Sequence, residues 1–198
     1  MIKQLLRPLY FPLISRIYQF HYFLFPNFTA RKRVSYITIP NCHQKVYITG
    51  KGKVTIGEKC SFGFQLGGRN KYGTIELQPR TINAHIQIGD HVSTNNNLFI
   101  CSSNQIIIGN NTLIGEGVTL MDFEAHGIHP EQRNQVGTIG KIVIGHNVWI
   151  GNNVTILKNS VIGDNCVIAT GAVVCSIFPK NVIIGGVPAK IIKRIDDK

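Results

Sequence analysis

The sequence predicts a mainly β protein, a parallel β-helix in which short strands coil around an apolar shaft. Three observations support this. An aliphatic residue followed by a small one recurs every six positions through much of the chain. Gly and Asn gather where such a coil would turn its corners. Of 198 residues, 43% are hydrophobic and only 16% charged, a balance more typical of a β-rich protein than a helical one.

The repeat opens with a trace at Ile56-Gly57 and Phe62-Gly63 and becomes regular at Ile88-Gly89, Thr94-Asn95 and Ile100-Cys101. It slips by two residues to Ile108-Gly109, continues through Ile114-Gly115 and Leu120-Met121, and resumes from Ile144-Gly145 to Val174-Cys175. A period of six is neither helical nor the simple alternation of an isolated strand. It fits a prism with three flat sides, each side a short strand, with a rise of about 4.8 Å per coil set by strand spacing. Asn110, Asn111, Asn152, Asn153 and Asn165 suit corners that need left-handed backbone angles.

The regions divide at 1–50, a basic and aromatic N-terminal segment; 51–185, the β-helix; and 186–198, a basic tail or short helix. In the first, Ile2, Leu5, Leu9, Leu13, Ile17, Phe20 and Leu24 recur at helical spacing, with Lys3, Arg7 and Arg16 between them. The longest uncharged run, Ile17 to Ala30, is too short to span a bilayer and contains Pro26. No small-residue cleavage site follows an apolar run, which argues against a secretory signal. A helical cap and a peripheral contact with a membrane surface both remain as readings.

The formal net charge is +11, and every charged residue before Glu58 is basic. That asymmetry suggests an anionic surface or ligand. Nucleic acid is not favoured, because no recognition motif or basic strip with interleaved aromatics accompanies the charge. Five scattered cysteines form no CxxC pair, so a reducing cytoplasm is expected and all five read as core filler.

One stretch breaks the repeat. MDFEAHGIHPEQR, Met121 to Arg133, crowds two histidines, three carboxylates and an arginine into a loop near 122–142. HGIHPEQR, from His126 to Arg133, resembles the loop-entry motif of the galactoside, maltose and nodulation O-acetyltransferases. IGHNVWIGNNVTIL and IIGGVPAKIIKRI are similar to further signatures of that family, and the resemblance covers roughly Ile86 to Arg194.

The resemblance implies a left-handed parallel β-helix of hexapeptide repeats. It implies a homotrimer with sites between neighbouring shafts, acetyl-CoA as acyl donor, a sugar or glycan acceptor and no required metal. His126 would be the catalytic base, with Glu131 the first choice to orient it, although Asp122, Glu124 or a carbonyl would also serve. Asp122 and Glu124 are otherwise expected to be turn or surface residues. His129, Arg133 and Asn95 would structure the loop or contact the acceptor. Asn152 and Thr170, eighteen residues apart, would line the pantetheine, with Trp149 on the cleft wall. Lys190 and Lys193 would meet the nucleotide phosphates. Cys175-Ser176 stands where the family often has Thr-Lys, which leaves Lys180 as a substitute.

The chemistry fits these residues. A sugar hydroxyl attacks a thioester poorly until a base accepts its proton, and imidazole is suited to that exchange near neutral pH. The expected function is O-acetyl transfer to a sugar in lipopolysaccharide, capsule or other bacterial glycan. Rivals are a nucleotide-sugar N-acetyltransferase, a γ-type carbonic anhydrase-like metalloenzyme using His85, His91, His126 or His129, and a non-catalytic β-helix scaffold.

Overall fold

The computed structural model describes residues 7–66 and 72–195. Ile2, Lys3 and Leu5 of the helical pattern, and the last three residues of the basic tail, lie outside this range. Three sheets form the sides of a prism, and strands stacked along each side are parallel, apart from one antiparallel strand at the C-terminal end.

The first side stacks β1 (Val34–Tyr36), β4 (Lys53–Ile56), β7 (His85–Ile88), β10 (Gln105–Ile108), β13 (Lys141–Ile144), β16 (Val161–Ile162) and β19 (Ile177–Phe178). The second stacks β2 (Asn41–Cys42), β5 (Ser61–Phe62), β8 (Ser93–Thr94), β11 (Leu113–Ile114), β14 (Trp149–Ile150), β17 (Val167–Ile168) and β20 (Val182–Gly186). The third holds β3 (Lys45–Ile48), β6 (Thr74–Pro79), β9 (Phe99–Ser102), β12 (Thr119–Met121), β15 (Thr155–Leu157) and β18 (Val173–Val174).

Register follows the sequence period. Ile56, Ile88, Ile108, Ile144, Ile162 and Phe178 pair in succession and form one buried column. Leu77, Ile100, Leu120, Ile156 and Val174 form another. Burying each such side chain contributes about 1.5–3 kcal/mol, so the shaft is held mainly by these columns. Because Ile108 lies directly beside Ile144, the loop after β12 adds residues to one coil without adding a coil.

The Asn corners divide into two kinds. Asn111, Asn153 and Asn165 have φ of 59°, 53° and 58°. Asn110 and Asn152 are not left-handed, contrary to expectation. Each precedes such a residue and uses its side-chain oxygen instead, accepting from Asp90 N at 3.0 Å and Glu116 N at 2.9 Å. Four cysteines are buried, but Cys175 is exposed because it falls just beyond the short strand β18.

The coil begins earlier than residue 51, since β1 already pairs with β4. Before it, helix α1 (Arg7–Gln19) continues through a wide turn at Phe20–Leu24 and a tight one at Phe28–Arg33. This segment packs on β1, β2 and β3, so it crosses the base of the prism and caps its shaft. Phe23 and Ala30 point inward and are buried. The Asn27 amide donates to Phe23 O at 2.7 Å and Val46 O at 2.8 Å, and its oxygen accepts from Ile48 N at 2.6 Å. The bonds to Val46 and Ile48 satisfy main-chain groups at the open edge of the first coil.

At the other end, the expected tail or helix is a strand. β21 (Ala189–Arg194) turns back antiparallel onto β20, which pairs it with an edge that would otherwise be open.

Candidate active site

The interruption between β12 and β13 is a hairpin-like arm with an anchored root. Asp122, expected in a turn or on the surface, is wholly buried. Its carboxylate accepts from Ser102 Oγ at 2.6 Å, Ser103 N at 2.7 Å and Asn104 N at 3.1 Å. These donors sit on the corner where the repeat slips by two residues. The return strand is tied there too, through Gly140 N to Asp122 O at 2.7 Å and Asn104 Nδ2 to Gly140 O at 2.8 Å.

Glu124 clamps the next rung. Its carboxylate accepts from Thr138 N at 3.0 Å and Thr138 Oγ1 at 2.9 Å, and lies 3.2 Å from Lys158 Nζ. The Thr138 main-chain donor, then its hydroxyl and Lys158, hold the Glu124 carboxyl below its ordinary pKa. Further out, Gly127 N donates to Gln135 O at 2.8 Å. A side chain at Gly127 would meet Gln132 O at 2.5 Å, so the arm can close only around a glycine.

That closure places His126. Its Nδ1 lies 2.7 Å from the Arg133 carbonyl oxygen. A carbonyl can only accept, so Nδ1 carries the hydrogen and Nε2 keeps its lone pair. The exposed ring therefore presents Nε2 as the basic atom. The group against Nδ1 is thus a carbonyl, and Glu131, the first choice to orient the ring, does not bond His126. Glu131 Oε2 lies 3.9 Å from His129 Nδ1, and both side chains are exposed. Arg133 acts on the ring through its main chain. Beside the arm is an open hollow of about 660 Å³ lined by Gly127, Ile128, His129, Pro130, Gln135 and Val136 among others.

A second set of predicted residues meets on the second side of the prism. Asn95, Trp149 and Asn152 line an open hollow of about 430 Å³ together with Phe64, Ser93 and Leu113. Trp149 is 58% exposed there, so its indole is available for contact. Asn152 and Thr170 occupy matching places on successive coils, because Ile150 pairs with Ile168. Gly171 N donates to Asn152 O at 2.9 Å, which continues this stacking. Lys190 lies opposite Gly185 and Lys193 opposite Ile183 on the terminal hairpin. Lys180 precedes β20 at the end where Arg194 pairs with Val182. Neither the hollow nor the hairpin includes the arm: His126 follows the third side, and Asn95, Trp149 and Asn152 belong to the second.

The other histidines have separate partners. His85 Nε2 lies 2.8 Å from Thr55 Oγ1, and His91 Nε2 lies 3.5 Å from Glu58 Oε1. No group of three metal-ligating side chains forms among the described residues.

Comparison with known proteins agrees with this architecture. The family model described as "Bacterial transferase hexapeptide (six repeats)" matches residues 141–176. Galactoside O-acetyltransferase of Escherichia coli (strain K12) is 40% identical over 116 residues, covering 58% of this chain and 57% of that protein. The protein named "Putative lipopolysaccharide biosynthesis O-acetyl transferase WbbJ" of the same organism is 32% identical over 160 residues, covering 75% of each chain. This chain belongs to the hexapeptide-repeat acetyltransferase family. Its coil is accordingly the left-handed β-helix of that family. A solved hexapeptide-repeat acetyltransferase from Vibrio cholerae O1 biovar eltor, complexed with acetyl-CoA, is 34% identical with a TM-score of 0.53. That match covers 57% of this family member and 61% of the Vibrio chain. This family member thus spans less than two thirds of the galactoside enzyme and of the Vibrio protein, and three quarters of WbbJ.

Sequence reading missed Asp122 as the arm's buried anchor, Lys158 as the partner of Glu124, and Ser102 to Asn104 as the cup around Asp122. The two-residue slip before Ile108 was the available signal, because extra residues at one corner make a place for a guest side chain.

Proposed function

We propose that the protein is an acetyl-CoA-dependent O-acetyltransferase acting on a sugar hydroxyl in bacterial glycan biosynthesis, with lipopolysaccharide or capsule precursors as the acceptor class. The carrying observation is the His126 Nδ1 to Arg133 O hydrogen bond of 2.7 Å, which leaves Nε2 as an oriented base. In the proposed reaction, Nε2 accepts the hydroxyl proton while the sugar oxygen bonds to the thioester carbonyl carbon. The carbon–sulfur bond then breaks, and the imidazolium returns its proton to the coenzyme A thiolate. The products are the acetyl ester and the free thiol, and His126 is regenerated.

The second side supplies the complementary surface. Asn95 offers a polar group for the acceptor; Trp149, Asn152 and Thr170 form a stacked wall for the pantetheine; Lys180, Lys190 and Lys193 offer charge to phosphates. A homotrimer in the cytoplasm completes the arrangement, with the arm of one copy set against the second side of the next. His129 and Arg133 then approach the acceptor, with Glu131 close to His129. Glycan specificity follows the relationship to WbbJ, which is named for lipopolysaccharide O-acetyl transfer.

The test is thiol release from acetyl-CoA over a panel of matched hydroxyl and amino sugars and bacterial glycans. Acceptor-dependent release with hydroxyl sugars, confirmed as ester by mild-base lability, is expected. Turnover confined to amino sugars would replace this reading with N-acetyl transfer.

A further inference from the structure

The cap at the base of the prism has two faces of opposite character. Its inner face, Phe23, Asn27 and Ala30, closes the shaft. Its outer face carries Leu13, Ile17, Phe20, Phe25 and Phe28, and the last two are 67% and 63% exposed. Leu13, Ile17 and Phe20 fall on one stripe of a helix by their spacing of four and three. Beyond the helix the Phe25 ring continues that stripe, with its centroid 6.0 Å from Phe20. Large apolar side chains on the solvent face of a helix whose opposite face is already packed call for a partner.

Charge identifies its chemistry. Arg16, Arg31 and Lys32 are exposed along the same segment. The Arg31 guanidinium lies over the Phe28 ring at 4.6 Å from its centroid, so cation and aromatic surface form one unit. No Asp or Glu occurs anywhere before Glu58, and β1, β2 and β3, on which the cap packs, contain none. Glu76, on β6 beside β3, is half-buried and engaged by Thr49 Oγ1 at 2.8 Å and Gln78 Nε2 at 3.1 Å. No helix among the described residues is long and apolar enough to cross a membrane.

We infer that this ridge docks the protein on the surface of an anionic phospholipid bilayer. Apolar and aromatic side chains enter the headgroup boundary, and Arg16, Arg31 and Lys32 meet lipid phosphates around them. A glycan-modifying enzyme held in this way would meet acceptors carried on lipid. That consequence rests on the proposed function, but the docking itself does not.

The experiment is co-sedimentation of the full chain with phosphatidylcholine vesicles, with and without phosphatidylglycerol. Two variants accompany it: Phe20→Ser/Phe25→Ser/Phe28→Ser, and Arg31→Gln/Lys32→Gln. Circular dichroism and size-exclusion light scattering check fold and assembly. Binding that requires phosphatidylglycerol and falls about tenfold or more in each variant is expected. Equal partition of wild type into both vesicle types, or variants that sediment as wild type does, would overturn the inference. So would absence of vesicle binding by wild type; loss of assembly in the Phe variant would then reassign the ridge to a contact between copies.

Discussion

Replacing Asp122 by Ala removes the arm's root without touching the proposed base. The lost carboxylate accepts three donors, Ser102 Oγ, Ser103 N and Asn104 N, between 2.6 and 3.1 Å, in a fully buried position. Hydrogen bonds to a charged group contribute roughly 1.5–3 kcal/mol each, and the two main-chain donors would be left without partners. Because the three share one acceptor, their effects do not simply add. The expected loss of unfolding free energy is about 3–5 kcal/mol. Asp122→Asn keeps one acceptor oxygen but turns an amide toward a donor, so it should lose about half as much. Denaturant unfolding measures both. The arm should also shift at its base, and a displacement of about 1 Å at a reacting group can cost roughly a hundredfold in rate. Coenzyme A affinity should stay near wild type, because Asn152, Thr170 and the lysines proposed to hold it lie elsewhere. Asp122→Ala with stability within about 0.5 kcal/mol of wild type would refute the anchor argument, since a change of that size is typical of an ordinary surface substitution.

Two further outcomes follow from the geometry. Glu124 has a folded pKa below its ordinary value, so its clamp contributes above the unfolded pKa and is lost as pH falls through the lower folded one. The Thr138 amide resonance should therefore titrate with a midpoint below the ordinary glutamate range, and Glu124→Gln should abolish that titration. Asn165 has φ of 58° and links Asn147 Nδ2 and Asn181 Oδ1, each at 2.9 Å. Asn165→Ala should cost roughly 1–2 kcal/mol in chemical unfolding from backbone strain alone, and Asn165→Gly should cost less than the Ala variant.

The columns of Ile, Leu and Val were legible because one residue in six must fill a shaft of fixed width, and the sequence records that requirement in each coil. The first coil was less visible. Val34, Cys42 and Ile48 point inward without the following glycine that marks later coils. The last strand was missed for a different reason: KIIKR has no strand signature strong enough to stand alone, and β21 exists because β20 offers it an edge. In the arm, the motif drew attention to His126, but its ring contacts a main-chain oxygen, which no residue letter reveals. Asp122 misled for a related reason. An acid before a turn normally faces water, and only donors from the preceding coil make its burial favourable. The separation of His126 from Asn95, Trp149 and Asn152 was likewise hidden, because sequence order does not say which side of the prism a corner faces.

The proposed chemistry stands most directly on His126. The deciding measurement is steady-state kcat/KM with an accepted glycan for wild type, His126→Ala and His126→Asn, alongside coenzyme A affinity by calorimetry. The account predicts a fall of about two to four orders of magnitude in both variants with coenzyme A affinity unchanged. Turnover by His126→Ala within a few fold of wild type would contradict it.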